Sequence, residues 1–103
     1  MLHDPRYEQK IKARIILNAA ADYIEEHGWC QYALVMSGRV CMLGAVNAAI
    51  CGDPAGGGDM LPFEVTDMLH RATGSASLSS WNDARERTKE QVVRALREAA
   101  QAG

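Results

Sequence analysis

From Pro5 to His27 the apolar side chains recur at helical spacing. Plotted at about 100° per residue, Ile15, Ile16, Leu17, Ala19, Ala20, Tyr23 and Ile24 fill one broad arc, and Arg14, Asn18, Asp22 and Glu25 lie opposite. Asp4 stands at the expected N-cap, and Pro5 suits a first turn, where its missing N–H has no partner to lose. Gly28 falls where a helix ends on a left-handed residue. So wide an apolar arc predicts a helix packed by more than one neighbour.

The pattern then shortens. In "YALVMSGRVCM" the pair Ser37-Gly38 separates two short apolar runs and allows a small β-hairpin. Residues 42–51, "MLGAVNAAIC", are apolar nearly all round, which predicts a helix in the middle of a bundle, with Gly44, Ala45 and Ala48 letting neighbouring backbones approach. "GDPAGGGD" reads as a flexible loop, and a further helix is expected over residues 61–73, with Leu61, Val65, Met68, Leu69 and Ala72 on one stripe. Pro62 is tolerated there only in a first turn. After the polar "SASLSS", Thr88 and Gln91 have the spacing of a capping box, opening a last helix with Val92, Val93, Leu96, Ala99 and Ala100 on its inner face. The sum is a mainly α fold: one compact domain over residues 1–103, about four helices with room for one short β-hairpin.

Composition narrows the function. A chain of 103 residues, 48% hydrophobic and 23% charged, can bury a core without disulfide or metal staples. A net charge of −2 offers no general attraction to nucleic acid or acidic membranes. The N-terminus has no apolar signal region, and no run approaches the about 18 residues of a membrane span, so a cytoplasmic protein is expected. Three cysteines, none paired as C-x-x-C, fit reduced thiols.

The densest chemistry is "EEHGWCQYAL", residues 25–34. Cys30 as a nucleophile would need His27 or His70 as base and Asn82 or Asp83 as orienter. It follows a helix C-terminus, however, whose dipole disfavours a thiolate, and a small buried hydrophobe is the better account. His27, Cys30 and Cys41, with Cys51 and His70, supply enough ligands for one zinc, but at spacings of no known finger or knuckle; Cys41 and Cys51 flank an apolar segment where small buried residues are expected. The glycine loop ends in Asp59-Met60 rather than Lys-Ser/Thr, so it does not cradle phosphate. Arg6, Lys10 and Arg14 step by four along one helix face, which reads first as a plain solvated face and otherwise as a contact for an acidic partner or, less readily, a phosphate backbone. Asn47 is expected to join a structural hydrogen-bond network. Trp29 and Trp81 sit beside helix boundaries, as core anchors or, if exposed, as interface anchors. Asn82 and Asp83 read first as caps of a helix start. No catalytic residue, metal or cofactor is expected.

Taken together, Gly28-Trp29-Cys30, then Cys41, Gly44 and Ala45, then Trp81-Asn82-Asp83 leading through Arg87-Thr88 to a final helix, resemble the pattern of an uncharacterised small-domain family from actinobacteria and their phages. The resemblance runs from about Ile15 to Ala100 and implies no activity, cofactor or catalytic residue. It does suggest an accessory protein that binds a host or cellular protein, with pairing to a second copy also open. The partner-binding candidates are Arg6, Lys10, Arg14, Trp29, Trp81, Asn82 and Asp83. A thiol or zinc site around His27, Cys30 and Cys41 is the alternative, and nucleic-acid contact through the basic helix face a weaker one.

Overall fold

The computed structural model describes residues 5–56 and 61–102, with side chains from Tyr7 onward. Five helices and one hairpin follow in order: α1 (Pro5–His27), β1 (Val35–Met36), β2 (Arg39–Val40), α2 (Met42–Cys51), α3 (Phe63–Thr73), α4 (Leu78–Asn82) and α5 (Lys89–Ala102). The fold is mainly α, as the periodicity predicts. Asp4 and residues 57–60 of the glycine loop lie outside the described residues.

α1 is the central element and packs against α5, α2 and α3. Leu17, Ala20, Ala21 and Ile24 of α1 are fully buried with Met42, Ala45 and Val46 of α2, Val65 and Leu69 of α3, and Val92, Leu96 and Ala99 of α5. Removing a Leu or Ile side chain from water in this way contributes about 2–3 kcal/mol each, the largest favourable term in the fold. The small residues of α1 and α5 let the two backbones run close together.

Ile15 departs from the expected arc: it is 63% exposed, and Ile11 and Tyr7, four and eight positions earlier, are exposed with it. The neighbours settle around Ala13, Leu17, Ala21 and Ile24, which rotates the buried stripe away from Ile15. Cys51 also departs, being exposed on the last turn of α2 rather than buried.

Local signals place the ends. Gly28 takes φ 100° and its N–H closes α1 on the Ile24 carbonyl at 2.8 Å. Ser37 (φ 52°) and Gly38 (φ 82°) supply the two positive values that a two-residue turn matching strand twist requires, and Val35 pairs with Val40, Met36 with Arg39. α3 begins at Phe63, because Pro62 is the N-cap with extended ψ of 136° and the residue before a proline avoids helical backbone. At the capping box, the Gln91 side-chain carbonyl accepts the Thr88 N–H at 3.1 Å and the Thr88 hydroxyl accepts the Gln91 N–H at 3.2 Å.

Residues 78–82 form one short helix rather than a polar connection, started by Ser77, whose hydroxyl accepts the Ser80 N–H at 3.2 Å. Asn82 and Asp83 therefore close a helix instead of opening one. Asn47 is buried and donates to the Pro54 carbonyl at 3.0 Å, as a structural amide should.

Candidate functional site

A dense hydrogen-bonded seam joins three segments distant in sequence: residues 28–34 after α1, the start of α2, and residues 81–84 at the end of α4. Its centre is Asn82, 2% exposed. Its Oδ1 accepts the Trp29 indole N–H at 2.7 Å and the Met42 N–H at 3.1 Å. Its Nδ2 donates to the Cys30 carbonyl at 3.2 Å and to Asp83 Oδ1 at 2.9 Å. All the bonding capacity of one buried amide is therefore met by protein groups.

The neighbours extend the seam. Asp83 Oδ1 also accepts the Tyr32 N–H at 2.9 Å, and the Tyr32 hydroxyl donates to the Asp83 carbonyl at 3.3 Å. Gln31 Nε2 donates to the carbonyls of Asn82 (3.1 Å) and Ala84 (2.8 Å). These bonds hold Tyr32 at φ 68°, a conformation that costs a non-glycine residue about 1 kcal/mol or more, while its ring stays 75% exposed. Gly44 brings α2 against the same segment: a Cβ there would overlap the Leu34 carbonyl oxygen, which itself accepts the Cys41 N–H at 3.2 Å.

Beside the seam lies an open cleft of about 210 Å³, lined by Tyr32, Leu34, Cys41, Leu43, Asn82 and Asp83 among others. Cys41 caps α2, its sulfur accepting the Gly44 N–H at 3.3 Å. Burial pushes its thiol up, and the Gly44 and Leu43 N–H groups pull only partly the other way. Burial likewise raises Cys30, helped by the nearness of Cys41 and Asp83. Both are held mainly as thiols at neutral pH, so neither is activated as a fast nucleophile there.

Of the residues singled out from sequence, Trp29, Cys30, Cys41, Asn82 and Asp83 meet at this seam and its cleft, and the others lie apart from it. His27 is exposed and lies against Tyr23, ring centroids 4.1 Å apart, while His70 Nδ1 meets the Ser75 carbonyl at 2.7 Å. Among the described residues no three of His, Cys, Asp and Glu come together as metal ligands. Trp29 is half-buried on the core with its indole N–H committed to Asn82. Trp81 is half-buried under the Arg87 guanidinium, 3.7 Å from the ring centroid, and its carbonyl accepts Arg87 Nε at 2.8 Å. Lys10 and Arg14 are exposed on α1, and the side chain of Arg6 lies outside the described residues.

The hairpin is the surface that sequence reasoning passed over. Leu34, Val35 and Met36 are 39%, 38% and 52% exposed, continuous with Tyr32. Val40 spends its N–H and carbonyl on Gly28 and Cys30, and β1 is tied to β2 through the bond from Cys41 N–H to the Leu34 carbonyl. In antiparallel alternation this turns the N–H and carbonyl of Val35 away from β2, along an outer edge. In the sequence its signal is the two short apolar runs flanking Ser37-Gly38, which mark the hairpin but not its exposure.

These features define a small mainly α domain whose termini of helices are bound through one buried asparagine, with a hairpin laid across them. The chain belongs to the Family of unknown function (DUF6197), whose model matches residues 9–102. No curated protein and no solved structure matches it. No helix is long and apolar enough to cross a membrane among the described residues.

Proposed function

We propose that this protein is a protein-binding accessory module that receives an extended segment of its partner along the edge of β1. The observation that carries the reading is the hairpin: exposed apolar side chains at Tyr32, Leu34, Val35 and Met36 lie beside main-chain groups that face outward. An added strand uses such groups for affinity and alternate side chains for specificity. The seam through Asn82 and Asp83 supports the same reading, because it orders the hairpin base before a partner arrives and so lowers the entropy cost of binding. Trp29 and Asn82 serve that framework from within. The exposed Lys10 and Arg14 would add contacts only to a partner large enough to reach α1. A cytoplasmic setting, and a host protein as partner for a phage-borne member, are the natural form of this proposal.

Amide-resolved NMR tests it with peptides selected from a random extended library. Binding should shift residues 32–36 and slow hydrogen exchange at Val35, and Met36→Asp should abolish it while the fold persists. Peptides that shift the amides around Lys10 and Arg14 instead, or leave Val35 exchange unchanged, would overturn the reading.

A further inference from the structure

Two of the three cysteines are brought side by side, although the hairpin lies between them in sequence. The Val40 N–H bonds the Gly28 carbonyl at 3.1 Å and the Cys30 N–H bonds the Val40 carbonyl at 3.0 Å, a parallel bridge pairing Trp29 with Val40. The bridge ends there, because the Asn82 side chain takes the next rung, the Cys30 carbonyl and the Met42 N–H. Cys30 and Cys41 follow it directly, on either side of the Cys30 N–H to Val40 carbonyl bond, and Cys41 is still extended (φ −83°, ψ 179°). Side chains alternate across extended chains. Trp29 and Val40 therefore turn together toward the core, and Cys30 and Cys41 turn together to the opposite side. The contacts agree: the Cys30 thiol points to the carbonyls of Ala33 (3.4 Å) and Arg39 (3.5 Å), and Cys41 lines the cleft under Tyr32 and Leu34. The bond from the Cys30 N–H to the Val40 carbonyl, immediately beside the pair, holds the two backbones close enough to reach the roughly 4.4–6.8 Å Cα separation that disulfides span.

We propose that Cys30 and Cys41 form a reversible dithiol–disulfide pair, oxidised by a peroxide that enters the cleft. Cys41 reacts first because it lines the cleft, as Cys30 does not, and its sulfur receives the Gly44 N–H. Its thiolate attacks one peroxide oxygen and the O–O bond breaks; Cys41 becomes a sulfenic acid and the other oxygen leaves as water. The Cys30 sulfur then forms the S–S bond and displaces hydroxide, which leaves as a second water after taking up a proton. Two thiols lose two hydrogens and two electrons, and one hydrogen peroxide becomes two waters. Closing the bond removes the Cys30 S–H from the Ala33 and Arg39 carbonyls and ties the base of the hairpin covalently to the start of α2. Because burial keeps both sulfurs protonated, the reaction is slow at neutral pH and quickens as pH rises.

The test uses the full chain carrying Cys51→Ser, since exposed Cys51 would cross-link copies. The protein is treated with hydrogen peroxide, free thiols are counted in denaturant, and tryptic peptides are mapped; residues 15–39 carry Cys30 and residues 40–71 carry Cys41. The expected result is simultaneous loss of both thiols, one peptide pair linked through sulfur, and full recovery with a dithiol. Methionine oxidation does not enter this readout. Thermal melts by circular dichroism before treatment establish that the variant is folded. Oxygen adducts on unlinked Cys30 or Cys41, or thiols that stay silent until the chain unfolds, would overturn the proposal.

Discussion

The indole N–H of Trp29 donates to Asn82 Oδ1 at 2.7 Å, joining residues that stand 53 positions apart. The same oxygen holds the Met42 N–H, so one side chain anchors the end of α1, the start of α2 and the end of α4. Asn82→Ala leaves the Trp29 indole, the Met42 N–H and the Cys30 carbonyl without this partner. Each unsatisfied buried group costs about 1–3 kcal/mol, and partial relaxation should bring the total destabilisation to about 3–4 kcal/mol. Urea unfolding followed by tryptophan fluorescence measures it; a loss below about 1 kcal/mol would mean that the junction is not structural.

Gly44→Ala would ordinarily stabilise a helix interior by about 1 kcal/mol. Here the added Cβ meets the Leu34 carbonyl, and overpacking against backbone costs about 1–3 kcal/mol. The expected sign is net destabilisation, with faster hydrogen exchange at Cys41, whose N–H that carbonyl holds. A more stable variant would show that the hairpin can move off α2 at little cost.

Stability should also fall in alkali. Cys30 and Cys41 have folded pKa values above their ordinary 9.0, chiefly through burial. A group raised on folding contributes stability that is fully present below its unfolded pKa and is lost as pH climbs through the folded one. Denaturant midpoints should therefore hold up to about pH 9 and decline above it. A Cys30→Ala, Cys41→Ala chain should show a shallower decline over the same range; identical slopes would assign the alkaline loss to other groups.

Two contacts of α5, its N-terminal cap and the Arg97 ion pairs, test a difference in magnitude. Thr88→Ala removes one half of the capping box and should cost about 1 kcal/mol. Arg97 bridges Asp22 and Glu25 at 2.8 and 2.9 Å, but both carboxylates are more than half exposed. Solvent screening limits such pairs to about 0–1 kcal/mol. Arg97→Ala should thus cost less than Thr88→Ala, and its effect should vanish in high salt. The opposite order, measured by thermal melts at two ionic strengths, would make the α1–α5 ion pairs the stronger clamp.

Much of the framework was legible before any coordinates. α2 spans Met42–Cys51 as its apolar run predicts, the Ser37-Gly38 turn makes the hairpin, and Thr88-Gln91 caps α5. These signals succeed because each depends on neighbours within a few residues. Ile15 failed because periodicity defines an arc but not where neighbours come to rest on it. α4 failed because one helical turn carries too little pattern to stand out from a polar run.

The sequence by itself therefore determined the mainly α class and most helix ends, and it drew attention to Trp29, Cys30, Cys41, Gly44, Trp81, Asn82, Asp83, Arg87 and Thr88. Only the tertiary structure decided what those residues do together. Asn82 read as a helix-start cap because a short polar side chain next to a helix usually bonds its own backbone; the fold instead buries it where three distant segments converge, and a buried amide must find partners wherever they lie. The pairing of Cys30 with Cys41, the left-handed Tyr32 and the outward edge of β1 arise from the same convergence, which depends on contacts between residues far apart in the chain.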